Sequence, residues 1–138
     1  MTNNGTVVFV CLHASAKSQI AMAYFNRLAA ERGSRLRALS AGTEPDDAIP
    51  QEVVVGLAGD GFDVGGRTPL RLTPGLLAGA AAIISFGPDI AAVGPAPVPV
   101  THWDDMPAVS DDYATARDAI RARVAALFTE MAAIRAAR

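Results

Sequence analysis

Cysteine is almost absent from this chain: there is one, Cys11, in 138 residues. A lone thiol closes no disulfide within the chain and builds no thiolate cage for a metal, and two histidines add little to ligand supply. Structural disulfides and a bound metal are therefore not expected. Charge is also sparse, at 19% of residues with a net of -2 and no basic run, so the electrostatic footprint of a nucleic-acid binder is missing. No uninterrupted apolar run approaches the roughly 20 residues that span a bilayer. Hydrophobic residues nevertheless make up 51%, too many for a disordered chain. The opening Met1-Thr2-Asn3-Asn4-Gly5 has neither the basic segment nor the cleavage site of a secretory leader. A cytoplasmic protein with no membrane and no nucleic-acid partner is the expectation. Lysine is as rare as cysteine: of twelve basic residues eleven are Arg, and the exception is Lys17.

What is present reads as alternating strands and helices in one domain covering residues 1–138. Residues 6–12 are a β-branched and aromatic run bounded by Gly5 and a small polar segment, which predicts a buried strand. From Ser18 to Glu31, Ile20, Met22, Ala23, Phe25 and Leu28 recur at helical spacing, with Gly33 as a stop. Residues 35–41 alternate as a second strand, and Pro50 fits the first turn of a helix over 50–59. Thr73-Pro74 opens a short helix, 80–86 form a third strand, and 98–102 a fourth whose Pro99 suggests an edge or a strand start. Asp111 to Arg138 trace a long amphipathic helix. This alternation predicts an α/β fold with a parallel sheet covered on both faces, in which ligands bind at the carboxyl ends of strands. Cys11 sits at such an end.

The segment Cys11-Leu12-His13-Ala14-Ser15-Ala16-Lys17-Ser18 joins the first strand to the first helix with mostly small side chains. A compact turn of that kind aims successive N–H groups inward, and the following helix adds its unpaired donors and positive end. Leu12, His13, Ala14, Ser15, Ala16, Lys17 and Ser18 thus form a candidate oxyanion cradle. The same field favours a thiolate at Cys11, which becomes a candidate nucleophile. Lys17 places a cation at the far end, and the Ser18 hydroxyl is within reach of either the sulfur or the anion. The plainer alternative is a buried strand-end cysteine, a solvated lysine and a serine acting as a cap.

The loop resembles that of the low-molecular-weight protein tyrosine phosphatase and arsenate reductase superfamily, which reads Cys, five residues, Arg, Ser after a hydrophobic strand. Ser18-Gln19-Ile20-Ala21 is closer to the arsenate reductase branch. Ser40-Ala41-Gly42-Thr43, Gly61-Phe62-Asp63-Val64, Arg67-Thr68-Pro69 and Leu72-Thr73-Pro74 follow in that branch's order. Ala81 to Phe86, His102-Trp103 and Arg117-Asp118 extend the likeness nearly to the C-terminus. The resemblance implies a three-layer α/β sandwich around a central four-stranded parallel sheet, of the phosphotyrosine protein phosphatase I type.

The chain departs from that pattern in several places. Lys17 replaces the loop Arg, exchanging a planar fork for a point charge. The family's general acid is an Asp in an Asp-Pro pair, and here the sequence is Trp103-Asp104-Asp105-Met106-Pro107; the resemblance implies Asp105 for that role, with Asp104 as runner-up. Thioredoxin-coupled reductases of the family relay a disulfide through two further cysteines; this chain has neither, and Pro88 falls near the expected place of the first. His13 stands where the family usually has Gly; it is either a surface-facing loop histidine, the favoured reading, or a hydrogen-bond donor to the anion. Phe86, Trp103 and Tyr113 are candidates to wall the cleft. The expected activity is arsenate reduction, with Cys11, Lys17, Ser18 and Asp105 as catalytic residues, no bound cofactor, and an external low-molecular-weight thiol as reductant. The expected partner is a tetrahedral oxyanion, arsenate or phosphate. The alternatives are a phosphatase acting on phosphomonoesters through a phosphocysteine, and a binding module without turnover.

Overall fold

The computed structural model describes residues 5–136. The chain folds in the order β1 (Thr6–Cys11), α1 (Lys17–Glu31), β2 (Arg37–Gly42), α2 (Gln51–Gly59), α3 (Pro74–Ala78), β3 (Ala82–Ser85), β4 (Val100–His102) and α4 (Tyr113–Ala136). The strands form one sheet in the order β2-β1-β3-β4, and every pairing is parallel. β1 is thus an inner strand with a partner on each side, and β4, three residues long, is an edge.

Alternation along β1 separates two apolar layers, as a period of two demands. Val7, Phe9 and Cys11 face the cluster built with α1, α2 and α4, where Ile20, Phe25, Val53, Leu57, Ile120 and Phe128 are buried. Val8 and Val10 face the other way, toward Ala41, Leu72, Leu77 and Ile83 under α3. Phe9 anchors the first layer. Its ring centroid lies 6.1 Å from that of Phe25, 6.0 Å from Trp103 and 6.3 Å from Phe86, so the core runs continuously up to the ends of β3 and β4.

All eight elements read from the sequence are present, with shifted ends. β1 stops at Cys11 and not at residue 12, and α1 begins at Lys17, one residue early. The third strand shrinks to Ala82–Ser85, although the Ala81 and Phe86 N–H groups still donate to Thr6 and Val10 carbonyls at 2.8 Å each. Pro50 precedes α2 instead of lying in its first turn: its ψ of 144° is extended, and its carbonyl accepts from the N–H of Val53 and Val54. Thr73 caps α3 as read, accepting from the Leu76 N–H at 3.2 Å. α4 starts at Tyr113, where an Asp112 carboxylate oxygen accepts from the Thr115 N–H at 3.3 Å. That contact draws the Asp112 carboxyl below its ordinary range. Residues 137–138 of the expected last helix lie outside the described residues.

Candidate active site

The turn between β1 and α1 is held from its outer side. Carbonyls of Leu12 and His13 accept from the N–H groups of Glu44 and Asp46 at 2.8 and 3.0 Å, and the Gln19 side chain donates to the Ala14 carbonyl at 3.0 Å. The Ala16 carbonyl takes the Ile20 N–H at 3.0 Å, the first bond of the helix. With these carbonyls engaged outward, the N–H groups of residues 13–17 donate to no protein acceptor among the described residues. A row of unpaired N–H groups leading into a helix N-terminus is an anion-binding arrangement.

Two backbone features make the turn possible. Ala14 sits at φ 56°, the left-handed region that costs a residue with a Cβ about 1 kcal/mol. Gly42, at the end of β2, lies directly under the turn: a Cβ there would stand 2.7 Å from the Leu12 carbonyl oxygen and 2.8 Å from the Ala14 nitrogen. The Ser-Ala-Gly-Thr run is therefore a platform for the loop.

Cys11 ends β1, 9% exposed, with its sulfur 2.9 Å from the Ser18 hydroxyl. Ser18 does not cap the helix. Its hydroxyl links the sulfur to Ser40 Oγ, 2.6 Å away on β2. Lys17 extends its ammonium to the Met106 carbonyl at 3.4 Å, spanning from α1 to the segment after β4. His13 donates from Nδ1 to the Glu44 carbonyl at 2.9 Å, and Asp46 places one carboxylate oxygen 3.5 Å from that nitrogen while the other accepts from Ser15 at 2.8 Å. These groups border a cleft of about 440 Å³ lined by Cys11, Leu12, His13, Ser15, Ala16, Lys17, Phe86, Gly87 and Pro88, a size typical of small-molecule sites.

Cys11, Ser18, Lys17 and the turn are thus brought together, and Asp105 is not. Its carboxylate accepts from Arg123 of α4 at 2.6 Å, and that guanidinium holds the carboxyl below its ordinary range. Asp104 faces His102 at 3.7 Å, and neither acid lines the cleft. Of the three aromatics, Phe86 alone is a wall of this cleft; Trp103 stacks behind it at 5.7 Å, edge to face. Tyr113 lies elsewhere, against Gly56, whose missing side chain gives the ring its place. Burial, with Asp60 nearby, pushes the Tyr113 phenol up; burial and a 2.8 Å bond to Asp60 do the same for Tyr24. Sequence reading missed Ser40, Asp46 and the supporting roles of Gln19 and Gly42. The available hint for Gln19, Ser40 and Gly42 was that they lie in runs resembling the family, Ser18-Gln19-Ile20-Ala21 and Ser40-Ala41-Gly42-Thr43; Asp46 had none. Among the described residues no group of three or more His, Cys, Asp or Glu side chains is placed to hold a metal ion, and no helix is long and apolar enough to cross a membrane.

A parallel α/β domain carrying a cysteine under a helix-capped, anion-binding turn is a recognisable class of protein. The chain belongs to the low molecular weight phosphotyrosine protein phosphatase family, whose model matches residues 6–91. A relative from Halobacterium salinarum, provisionally assigned as an arsenate reductase, is 29% identical over 127 residues, 88% of this chain and 89% of that one. An arsenate reductase structure from Archaeoglobus fulgidus superposes with a TM-score of 0.73 at 27% identity, covering 89% of this chain and 98% of that one. The Corynebacterium glutamicum thioredoxin-dependent arsenate reductase matches with a TM-score of 0.73 at 24% identity over 91% of this chain, which spans only 61% of that longer one. Vibrio vulnificus Wzb, solved in complex with benzylphosphonate, shares the fold at a TM-score of 0.78, 14% identity and coverages of 92% and 99%.

Proposed function

We propose that the chain is a cysteine-dependent, oxyanion-handling enzyme of the arsenate reductase type, with an external low-molecular-weight thiol as reductant. The observation that carries this reading is the Cys11 sulfur at the base of a turn whose N–H groups at residues 13–17 have no protein acceptor among the described residues. When the sulfur is ionised, Ser18 donates its hydroxyl proton to it, and Ser40 in turn donates to Ser18, so the charge is stabilised by a two-hydroxyl chain. Residues 12–18 and Lys17 hold the oxyanion and offset the charge that builds as the sulfur attacks. The sulfur–arsenic bond forms as an arsenate oxygen leaves as water. An external thiolate then attacks Cys11, and arsenic departs with the electron pair as arsenite. A second external thiol frees Cys11 from the mixed disulfide. Overall two thiols become one disulfide while As(V) becomes As(III). The missing relay cysteines require this outside supply, because no second thiol exists in the chain.

The wall made by Leu12, Phe86 and Pro88 favours a second reading, in which the cleft receives the organic part of a phosphomonoester and water hydrolyses the phosphocysteine. Purified protein incubated with arsenate and glutathione or mycothiol, and separately with p-nitrophenyl phosphate, tests both. Arsenite formation supports the first reading and nitrophenol release the second. Turnover in neither assay, with phosphate still bound, overturns both in favour of a binding module.

A further inference from the structure

The departing oxygen needs a proton, a contribution of roughly 10²–10⁴-fold in rate when a side chain supplies it. Asp105 is committed to Arg123 and does not border the cleft. The lining residues offer three ionisable groups: Cys11 is the nucleophile, the Lys17 ammonium is turned to the Met106 carbonyl at 3.4 Å, and the third is His13. We infer that His13 is the proton donor to the leaving oxygen, acting from Nε2. This rests on the enzyme reading above and extends it.

The hydrogen bonding of the ring determines which nitrogen acts. A carbonyl only accepts, so Nδ1 carries a proton toward Glu44 at 2.9 Å, and Nε2 is the nitrogen that gains and loses one. Asp46 places a carboxylate oxygen 3.5 Å from Nδ1, and its own orientation is held by the Ser15 hydroxyl at 2.8 Å. The loop after β2 thus presents Asp46 to the ring, β1 and α1 bring Cys11 and Lys17 to the same cleft, and Phe86, Gly87 and Pro88 add no ionisable group. The His13 side chain is 51% exposed, which leaves it open to a ligand.

In the first step the sulfur lone pair makes the sulfur–arsenic bond. The arsenic–oxygen pair leaves on a hydroxyl, which takes the Nε2 proton and departs as water. Neutral His13 then accepts the S–H proton of the incoming external thiol, whose sulfur attacks Cys11 as arsenic(III) leaves with its bonding pair. Nε2 is again protonated, and a second external thiolate attacks the outer sulfur of the mixed disulfide, which frees Cys11 and closes the cycle.

The test compares His13→Gln with the unaltered protein in arsenate reduction by glutathione. The expected result is about a 10²-fold fall in kcat, with phosphate binding changed by less than about threefold. His13→Ala should recover rate with added imidazole. A His13→Gln protein at full rate overturns the inference and leaves the enzyme reading standing. So does a loss of rate that is matched by lost phosphate affinity and is not rescued by imidazole, which would mark a tether. An unaltered protein that turns over nothing overturns the enzyme reading, and this inference with it.

Discussion

Two loops at the carboxyl edge of the sheet carry the residues that the sequence singles out, and they are built differently. The turn after β1 leaves an inner strand. Its carbonyls are held by Glu44, Asp46 and Gln19, and Gly42 packs beneath it. The segment after β4 leaves a three-residue edge strand and holds its acids on the outside, Asp105 on Arg123 and Asp104 facing His102. The contrast shows where positional precision comes from: an inner strand has neighbours on both sides to clamp its loop, and an edge strand has one. Lys17 is the link between the two loops, through the Met106 carbonyl.

The largest effect should come from the clamped side. Cys11→Ser is expected to lower arsenate turnover by more than about 10⁴-fold while phosphate still binds, measured by arsenite release and by calorimetric titration. Gly42→Ala comes next, because the added methyl meets the Leu12 oxygen and the Ala14 nitrogen. It should cost about 2 kcal/mol in denaturant unfolding and weaken phosphate binding by at least about tenfold. If Gly42→Ala binds phosphate normally, the platform is not needed. Lys17→Ala should weaken phosphate binding by about tenfold, the usual worth of one charged hydrogen bond, whereas Lys17→Arg should strengthen it.

On the edge side the effect should be small. Asp105→Asn removes the partner of Arg123 in an exposed pair, so turnover should fall far less than the ~10²-fold that loss of a general acid brings. A fall of that size would mean that the segment swings inward during the reaction, and the contrast between the loops would fail. Away from both loops, Tyr24 and Tyr113 have raised phenol pKa values in the folded state. Their contribution to stability is therefore complete below about pH 10, where an unfolded tyrosine ionises, and is lost as pH rises through the higher folded values. Thermal melts in alkaline buffer should show that decline, and Tyr24→Phe should flatten it.

Much of this was readable from local pattern. The continuous β-branched and aromatic run of residues 6–12 and the helical stripe toward the C-terminus are set by the order of neighbouring residues, which a strand or a helix period reads directly. Strand ends were read less accurately, as in 80–86 against Ala82–Ser85, because a terminal residue can keep one ladder bond without continuing the strand. At the site, Cys11, Lys17 and Ser18 were legible because they share one short turn. Ser40 and Asp46 were not, since they meet the turn only through the pairing of β2 with β1.

Asp105 marks the boundary most clearly. Its place beside Asp104 and Pro107 suggested a proton donor, but Arg123 lies 18 residues further on, and nothing in the intervening sequence announces that contact. The sequence by itself determined the alternating elements, the lone thiol and the small-residue turn, since these depend on neighbours within a few residues. Only the tertiary structure decided which hydroxyls reach the sulfur, which carbonyls turn outward and which acid is drawn away. Those outcomes depend on free-energy differences between groups far apart in the chain, and strand order and helix packing determine which of them meet.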